Sequence, residues 1–377
     1  MRILLAPDSY KDSLSASEAA AALAKGVMRA APQAEIDKCP MGDGGEGTLD
    51  ALLTATLAEQ RIAIVNDALG RACKARWGWD PESQTAFIEL AEACGLQRLS
   101  TEERTALYSS SYGFGELIKI ALDHGAKRLV LLLGGSATND AGAGMLQALG
   151  VQLVNNEGTS LSAGGINLSD LKQIGWDKFD TRLHEVIIEA ILDVDNPLVG
   201  KQGASAVFGP QKGASPEEVE RLDKAFCHFA DVVSDNLGHD YRDIAGVGAA
   251  GGLGFSAVAF LKAKLCPGIE RVMSHVGFED RLSNADLVIT GEGRLDIQSL
   301  SGKTPIGIAR QAKKVGVPAV VIAGHLGAGW EKAYEEGVTS AFSLADGPIT
   351  LNDATSRCGE LLTTQAESIT RLFIKRK

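Results

Sequence analysis

The chain has 377 residues, 45% of them hydrophobic and 23% charged, with a formal net charge of −11. That length favours two domains, each with its own core, and the acidic balance excludes the basic footprint that nucleic acid requires. The 43 glycines predict many tight turns and make chance matches to glycine motifs common.

Residues 2–6 read as a buried strand, followed by the loop PDSYKDSLS and a helix over 16–30. Ser15 and Glu18 have the spacing at which each side chain satisfies a backbone N–H at the other's position. The opening apolar run is too short for a signal peptide. A strand over 34–38 leads through PMGDGGEG into a helix over 48–57, and this βαβα order predicts a parallel sheet with covering helices. Residues 56–79 read as a non-helical crossing into a second domain, with a turn at Asp80–Pro81. That domain has expected strands over 85–90, 128–133, 151–154 and 186–193. Its expected helices cover 112–124, 141–149 and 216–237, the last opened by a second capping pair, Ser215 and Glu218. From residue 286 the first style returns with a strand over 286–290, the polar loop GEGRLDIQSLSGK, and a helix with Pro305 in its first turn. A strand over 317–324 and a closing helix over 352–375 complete the chain.

The expected fold is therefore α/β. A discontinuous Rossmann-like outer domain of residues 1–70 plus 286–377 carries an inserted α/β domain of residues 71–285. Both sheets are mainly parallel, and the active-site cleft is expected between the domains. The longest uncharged stretch, over 246–261, is interrupted by glycines and falls short of a membrane span. Six cysteines without a CxxC pair suit reduced thiols rather than disulfides or a zinc site, so a cytoplasmic location is expected.

Two segments satisfy GxGxxG, over 42–47 and 246–251. In the first, Asp43 and Glu46 stand where a pyrophosphate would approach, and two carboxylates would repel it. The second lacks a clear preceding strand. An NAD-dependent dehydrogenase is accordingly a secondary reading. Gly302-Lys303-Thr304 ends like a P-loop, but its leading glycine would fall at Ile297, so there is no Walker A. Lys303 does precede a helix start, whose free N–H groups favour anions.

Five loops follow strands and mix glycines with carboxylates or amides: Asp8 to Lys11, Asp43 to Glu46, Gly134 to Asp140, Asp193 to Asn196 and Gly291 to Asp296. In parallel α/β sheets, ligands bind beyond the strand C-termini. Backbone N–H groups there can hold phosphate, and carboxylates can hold Mg²⁺ together with waters and phosphate oxygens. Phosphoryl transfer requires that combination. The stretch LVLLLGGSATNDAGAGM, from Leu129 to Met145, has the strand, glycine loop and helix of a phosphate cradle. It contains no lysine, and its one charge is the carboxylate of Asp140.

APDSYKDSLSASEAA, PMGDGGEGT, LGGSATNDAGAGM, DVDNPLVG, FGPQKGAS, AAGGLG and ITGEGRLDIQSLSGK occur in this order along the chain. Together they resemble the bacterial type I glycerate kinases, essentially from end to end. Gly42, Ala141 and Asp195 depart from the family, where alanine, glycine and threonine also occur.

The resemblance implies a two-domain α/β fold that is neither a P-loop nor a protein-kinase fold. It also implies transfer of the γ-phosphoryl group of ATP to D-glycerate, giving 2-phosphoglycerate, with 3-phosphoglycerate as the alternative product. Under it, Lys11 neutralises the transferring group. Asp193, with Asp195 or Asn196, positions Mg²⁺ or the acceptor hydroxyl. Asp43 and Glu46 are candidates for the remaining carboxylate role, with Ser9, Gly44 and Gly45 lining the substrates. Gly134, Gly135, Ser136, Thr138 and Asn139 bind an anion, either the glycerate carboxylate or an ATP phosphate. Gly291, Glu292, Asp296 and Lys303 form the facing loop. The expected partners are small molecules, with no nucleic acid or membrane, and a homodimer stays open. A non-catalytic ligand-binding protein is the competing class, but such proteins are often exported and no signal segment is seen.

Overall fold

The structure, a computed structural model, describes residues 1–375. The chain folds into two compact units. The first comprises Met1–Asp43, Asp50–Leu57 and everything from Gly268 onward, and the second comprises Gly44–Leu49 and Ala58–Pro267. Residues 58–70 thus fold with the second unit and 268–285 with the first.

The first unit is built on five parallel strands in the order Val338–Ser343, Ala319–Leu326, Leu287–Leu295, Arg2–Leu5, Glu35–Lys38. The strand Arg2–Leu5 is almost wholly apolar because helices cover both faces of such sheets. Ile3 and Leu5 pack with Leu23 and Val27 of the helix Ala16–Ala30, and with Leu361, Leu362 and Ile369 of the helix Cys358–Ile374. Gly26 lets these two helices touch, since a Cβ there would lie 2.1 Å from the Thr363 carbonyl oxygen. The capping pair forms as the spacing predicts: the Glu18 amide donates to Ser15 Oγ at 3.3 Å, and the Ser15 amide donates to Glu18 at 2.9 Å.

Two expectations for this unit change. The strand Leu287–Leu295 runs on through GEGRL, which composition suggested was loop, because Gly291, Glu292, Arg294 and Leu295 continue the ladder against Ile322–Leu326. The closing helix is two helices, Leu351–Ser356 and Cys358–Ile374, separated at Arg357 with φ −100° and ψ 8°. From Arg2–Leu5 the chain first moves to Glu35–Lys38 on one side and later returns on the other with Leu287–Leu295. That reversal makes the C-terminal ends of Arg2–Leu5 and Leu287–Leu295 a topological switch point, where α/β sheets place ligands.

The second unit holds six strands in the order Lys264–Pro267, Ile187–Leu192, Arg128–Leu132, Thr85–Glu89, Ala72–Asp80, Glu59–Asn66. The first four are parallel and the last two antiparallel. The segment expected as a crossing is in fact the hairpin Glu59–Asn66 and Ala72–Asp80. Its turn is held by Asp67, whose carboxylate accepts from the amides of Leu69 and Arg71. Gln152–Val154 does not join the main sheet but pairs antiparallel with Gln173–Gly175. Trp77, Phe114, Leu131, Phe226, Phe229 and Phe255 fill the core. Among the described residues no helix is long and apolar enough to cross a membrane.

Candidate functional site

At the switch point of the first unit, burial and charge collect on a few carboxylates. Asp8 follows the strand Arg2–Leu5, and its amide donates to the Gly291 carbonyl at 2.8 Å. Its carboxylate accepts from Thr304 Oγ1 at 2.5 Å, on the first residue of the helix Thr304–Val315, and from the Ser9 amide at 2.6 Å. Glu292 is only 9% exposed; its Oε1 is buried without a hydrogen-bond partner, and its Oε2 lies 3.9 Å from Lys303 Nζ.

Burial pushes the Asp8 carboxyl up to about 8, and the charges of Asp43 and Glu292 push the same way. Burial likewise pushes Glu292 up to about 7, against the pull of Lys303. Neighbouring buried carboxylates cannot all ionise without a counter-charge. A hard divalent cation supplies one, and Mg²⁺ takes only one or two protein carboxylates besides waters and substrate oxygens. The orphaned Glu292 oxygen fits that donor set. Among the described residues no three acidic, histidine or cysteine side chains converge into a group that could hold a metal ion.

The remaining expected residues of this unit divide. Lys303 caps the helix Thr304–Val315 and lines a cavity of about 390 Å³ with Arg294, Asp296, Ile297, Gln298 and Ala328. Asp296 is held in place by Arg294 Nε at 2.7 Å and the Gln298 amide at 2.9 Å. Lys11 is exposed, while Ser9 and Asp43 are half-buried. Gly291 is not a ligand-facing residue: a Cβ there would lie 2.3 Å from the Tyr10 hydroxyl. Its bareness lets Tyr10 donate to the Ile322 carbonyl at 2.6 Å.

In the second unit the cradle-like stretch explains its lone carboxylate. Asp140 is buried and accepts from the Ser111 amide (2.8 Å), Ser111 Oγ (2.9 Å), and the Gly142 and Gly144 amides (both 3.1 Å). Burial still pushes its carboxyl up, against these four donors. The helix here is Ala143–Ala148, shorter than expected, because Ala141 (φ 50°) and Gly142 (φ 79°) wrap left-handed around the carboxylate. The helix start that would receive a phosphate therefore already holds an anion.

Other expected donors of this loop are buried. Thr138 and Asn139 are 0% exposed, and Asn139 Nδ2 donates to Ser205 Oγ at 3.0 Å. Thr138 Oγ1 and Asn139 Oδ1 are buried without a hydrogen-bond partner. The Gly134 amide donates to the Gly44 carbonyl at 2.9 Å, and a Cβ on Gly134 would fall 2.2 Å from Gly45 Cα. The glycines of these two loops serve backbone-to-backbone packing. Gly135, exposed, and Ser136, 7% exposed, remain. Glu89, at the end of its strand, fixes the neighbouring turn by accepting from the Gly47 and Leu49 amides at 3.0 and 2.8 Å. Glu46, Asp193 and Asp195 are exposed, and Asn196 Nδ2 donates to the Gln202 carbonyl at 2.8 Å.

The second GxGxxG has the same explanation. Ala250, Gly251 and Gly252 are all left-handed, and a Cβ on Gly251 would lie 2.1 Å from the Thr138 carbonyl oxygen. The motif lets one backbone pass close to another and holds no dinucleotide.

The geometry adds three candidates that the sequence reading did not assign to the site: Asp8 and Thr304, which it named only within loops, and Lys212. The first is the first carboxylate after the first strand, a signal that was available. Lys212 ends the short helix Pro210–Lys212, and Gly213 (φ 91°) sits so close to the Arg104 carbonyl that a side chain would collide there. Its Nζ donates to Ser136 Oγ and to the Thr138 carbonyl, both at 2.7 Å.

Three comparisons agree on kinship. The model of the glycerate kinase family matches residues 3–374. A glycerate kinase of Bacillus subtilis (strain 168) is 46% identical over 98% of this chain and 97% of its own length. A glycerate 2-kinase of Escherichia coli (strain K12) is 45% identical over 94% and 93%. The crystal structure of a Salmonella typhimurium LT2 protein, provisionally named glycerate kinase 2, superposes with a TM-score of 0.88 at 44% identity, covering 100% of this chain and 98% of that one.

Proposed function

The chain belongs to the glycerate kinase family, and from that premise we infer an enzyme that phosphorylates D-glycerate with ATP. The observation that carries the chemistry is the buried carboxylate group at the first unit's switch point, with the orphaned oxygen of Glu292 at its centre.

Asp8 and Glu292 would hold Mg²⁺, which when bound neutralises charge on the transferring phosphoryl group. Lys303 and the amides that open the helix Thr304–Val315 would receive phosphate oxygens, and Lys11, exposed on its loop, would add a mobile positive charge. In the second unit, Ser136 and the Gly135 amide would take the oxyanion of the other substrate. Asp193, at the C-terminal end of Ile187–Leu192, would orient and deprotonate the acceptor hydroxyl, with Asp43, Asp195, Asn196 and Glu46 supporting these two carboxylate roles. The acceptor is the 2-hydroxyl, a reading supported by the name of the Escherichia coli relative. All six cysteines are free thiols, which suits a reducing cytoplasm.

A coupled assay tests this directly. With ATP, Mg²⁺ and D-glycerate, enolase and pyruvate kinase detect 2-phosphoglycerate without added mutase. A signal that appears only when mutase is added moves the acceptor to the 3-hydroxyl. Folded protein that gives no signal in either arrangement overturns the kinase reading.

A further inference from the structure

The loop from Gly134 to Asn139 carries no cation of its own, and its neighbour Asp140 is fully engaged by four donors. Among the described residues, the cation that hydrogen-bonds to the loop comes from far along the chain. Lys212 is 2% exposed, and its Nζ spends two of its three protons on Ser136 Oγ and the Thr138 carbonyl. Both partners are neutral. Among the described residues no carboxylate pairs with this ammonium, and Asp140 acts on it only through space. A buried cation without a counter-ion is costly, and burial pushes the Lys212 ammonium down to about 7; an anion from outside the chain, set beside it, would hold the charge.

The contact with Ser136 has a directional consequence. As an ammonium, lysine is a donor only, so in that form the Ser136 oxygen accepts and its own proton is directed elsewhere. The hydroxyl next to a charge is also a stronger donor.

We propose that Lys212 is the positioning residue of this loop. It orients Ser136 as a donor and supplies the positive charge that lets the loop hold an oxyanion, the carboxylate of D-glycerate or a phosphate of ATP. The proposal rests on the kinase reading for its substrates but not for its anion. In this arrangement the cradle does have its lysine, 74 residues downstream of the loop that it serves.

Lys212→Met and Lys212→Arg, assayed with ATP and D-glycerate, provide the test. Lys212→Met raises one KM by about 30-fold, the size of a lost charge-assisted hydrogen bond, while kcat and the other KM change less than threefold. A rise in the D-glycerate KM assigns the carboxylate, and a rise in the ATP KM assigns the phosphate. Lys212→Arg recovers most of the loss, which a purely structural contact would not predict. A folded Lys212→Met with both KM values unmoved overturns the proposal. Should that variant fail to fold, Ser136→Ala must show the same selective KM rise, and unchanged KM values overturn it equally. Sulfate titration separates this result from the kinase reading. Wild-type protein gains thermal stability with sulfate and Lys212→Met gains less, even if the coupled assay is silent; equal gains in both overturn the proposal.

Discussion

Asp8 and Asp140 are both carboxylates set after a parallel strand, and their surroundings differ in one respect. Asp140 receives four hydrogen bonds from its own unit. Asp8 receives two, and shares its neighbourhood with Asp43 and a Glu292 oxygen that has no partner. A buried charge whose valences are filled by the chain belongs to the fold. One whose valences are left over belongs to a ligand. The same contrast separates Lys212, which lacks an ion-pair partner, from Arg76, whose guanidinium is paired with Glu92.

Substitutions should pull the two carboxylates in opposite directions. Asp8→Asn removes a charge that the folded chain does not need, so kcat falls about 10³-fold while the thermal midpoint holds or rises. Steady-state kinetics and a melting curve on one preparation check both halves, and a parallel loss of stability would break the contrast. Asp140→Ala strands the Ser111, Gly142 and Gly144 amides, at a cost of roughly 3 kcal/mol or more, read from denaturant unfolding. Gly251→Ala tests the packing behind the same loop. It combines a left-handed φ of 67° with a Cβ placed 2.1 Å from the Thr138 carbonyl oxygen, and should cost roughly 1–3 kcal/mol in the same measurement.

The last effect is a pH dependence. Unfolded, Asp8 ionises near its ordinary 3.8; folded, it keeps its proton up to about 8. The folded state therefore binds more protons across that window, and stability falls as pH rises through it. Without Mg²⁺, the thermal midpoint of the wild type should drop more between pH 5 and 8 than that of Asp8→Asn. Equal slopes would remove Asp8 as the source.

Much of the fold is legible in the sequence because its signals are local. Ser15 and Ser215 mark helix starts through side chains three residues apart, and the apolar run over 3–6 declares a buried strand. The hairpin over 59–80 hides because its outer strand is almost wholly exposed, with Ile62 and Ile64 facing outward, so no alternation betrays it. GEGRL reads as loop because its pairing partner lies about 30 residues away and leaves no mark on its own composition. The site is less legible for the same reason. Glycines and carboxylates after strands point to candidate loops, but how Ser136 and Asn139 are held is decided by Lys212 and Ser205, more than 60 residues downstream. No spacing rule records that.

The buried Asp140 has a practical consequence for reading other chains and for choosing inhibitors. A strand, a glycine loop and a helix invite the search for a nucleotide, and the invitation is withdrawn when an aspartate stands just ahead of the helix glycines and folds back onto their amides. Such a protein carries a permanent tenant in its anion seat. Compounds that imitate a triphosphate lying on that helix start have nothing to displace but the protein's own backbone support. Ligand design has better purchase one turn earlier, at Gly135 and Ser136, where the chain has left donors unspent.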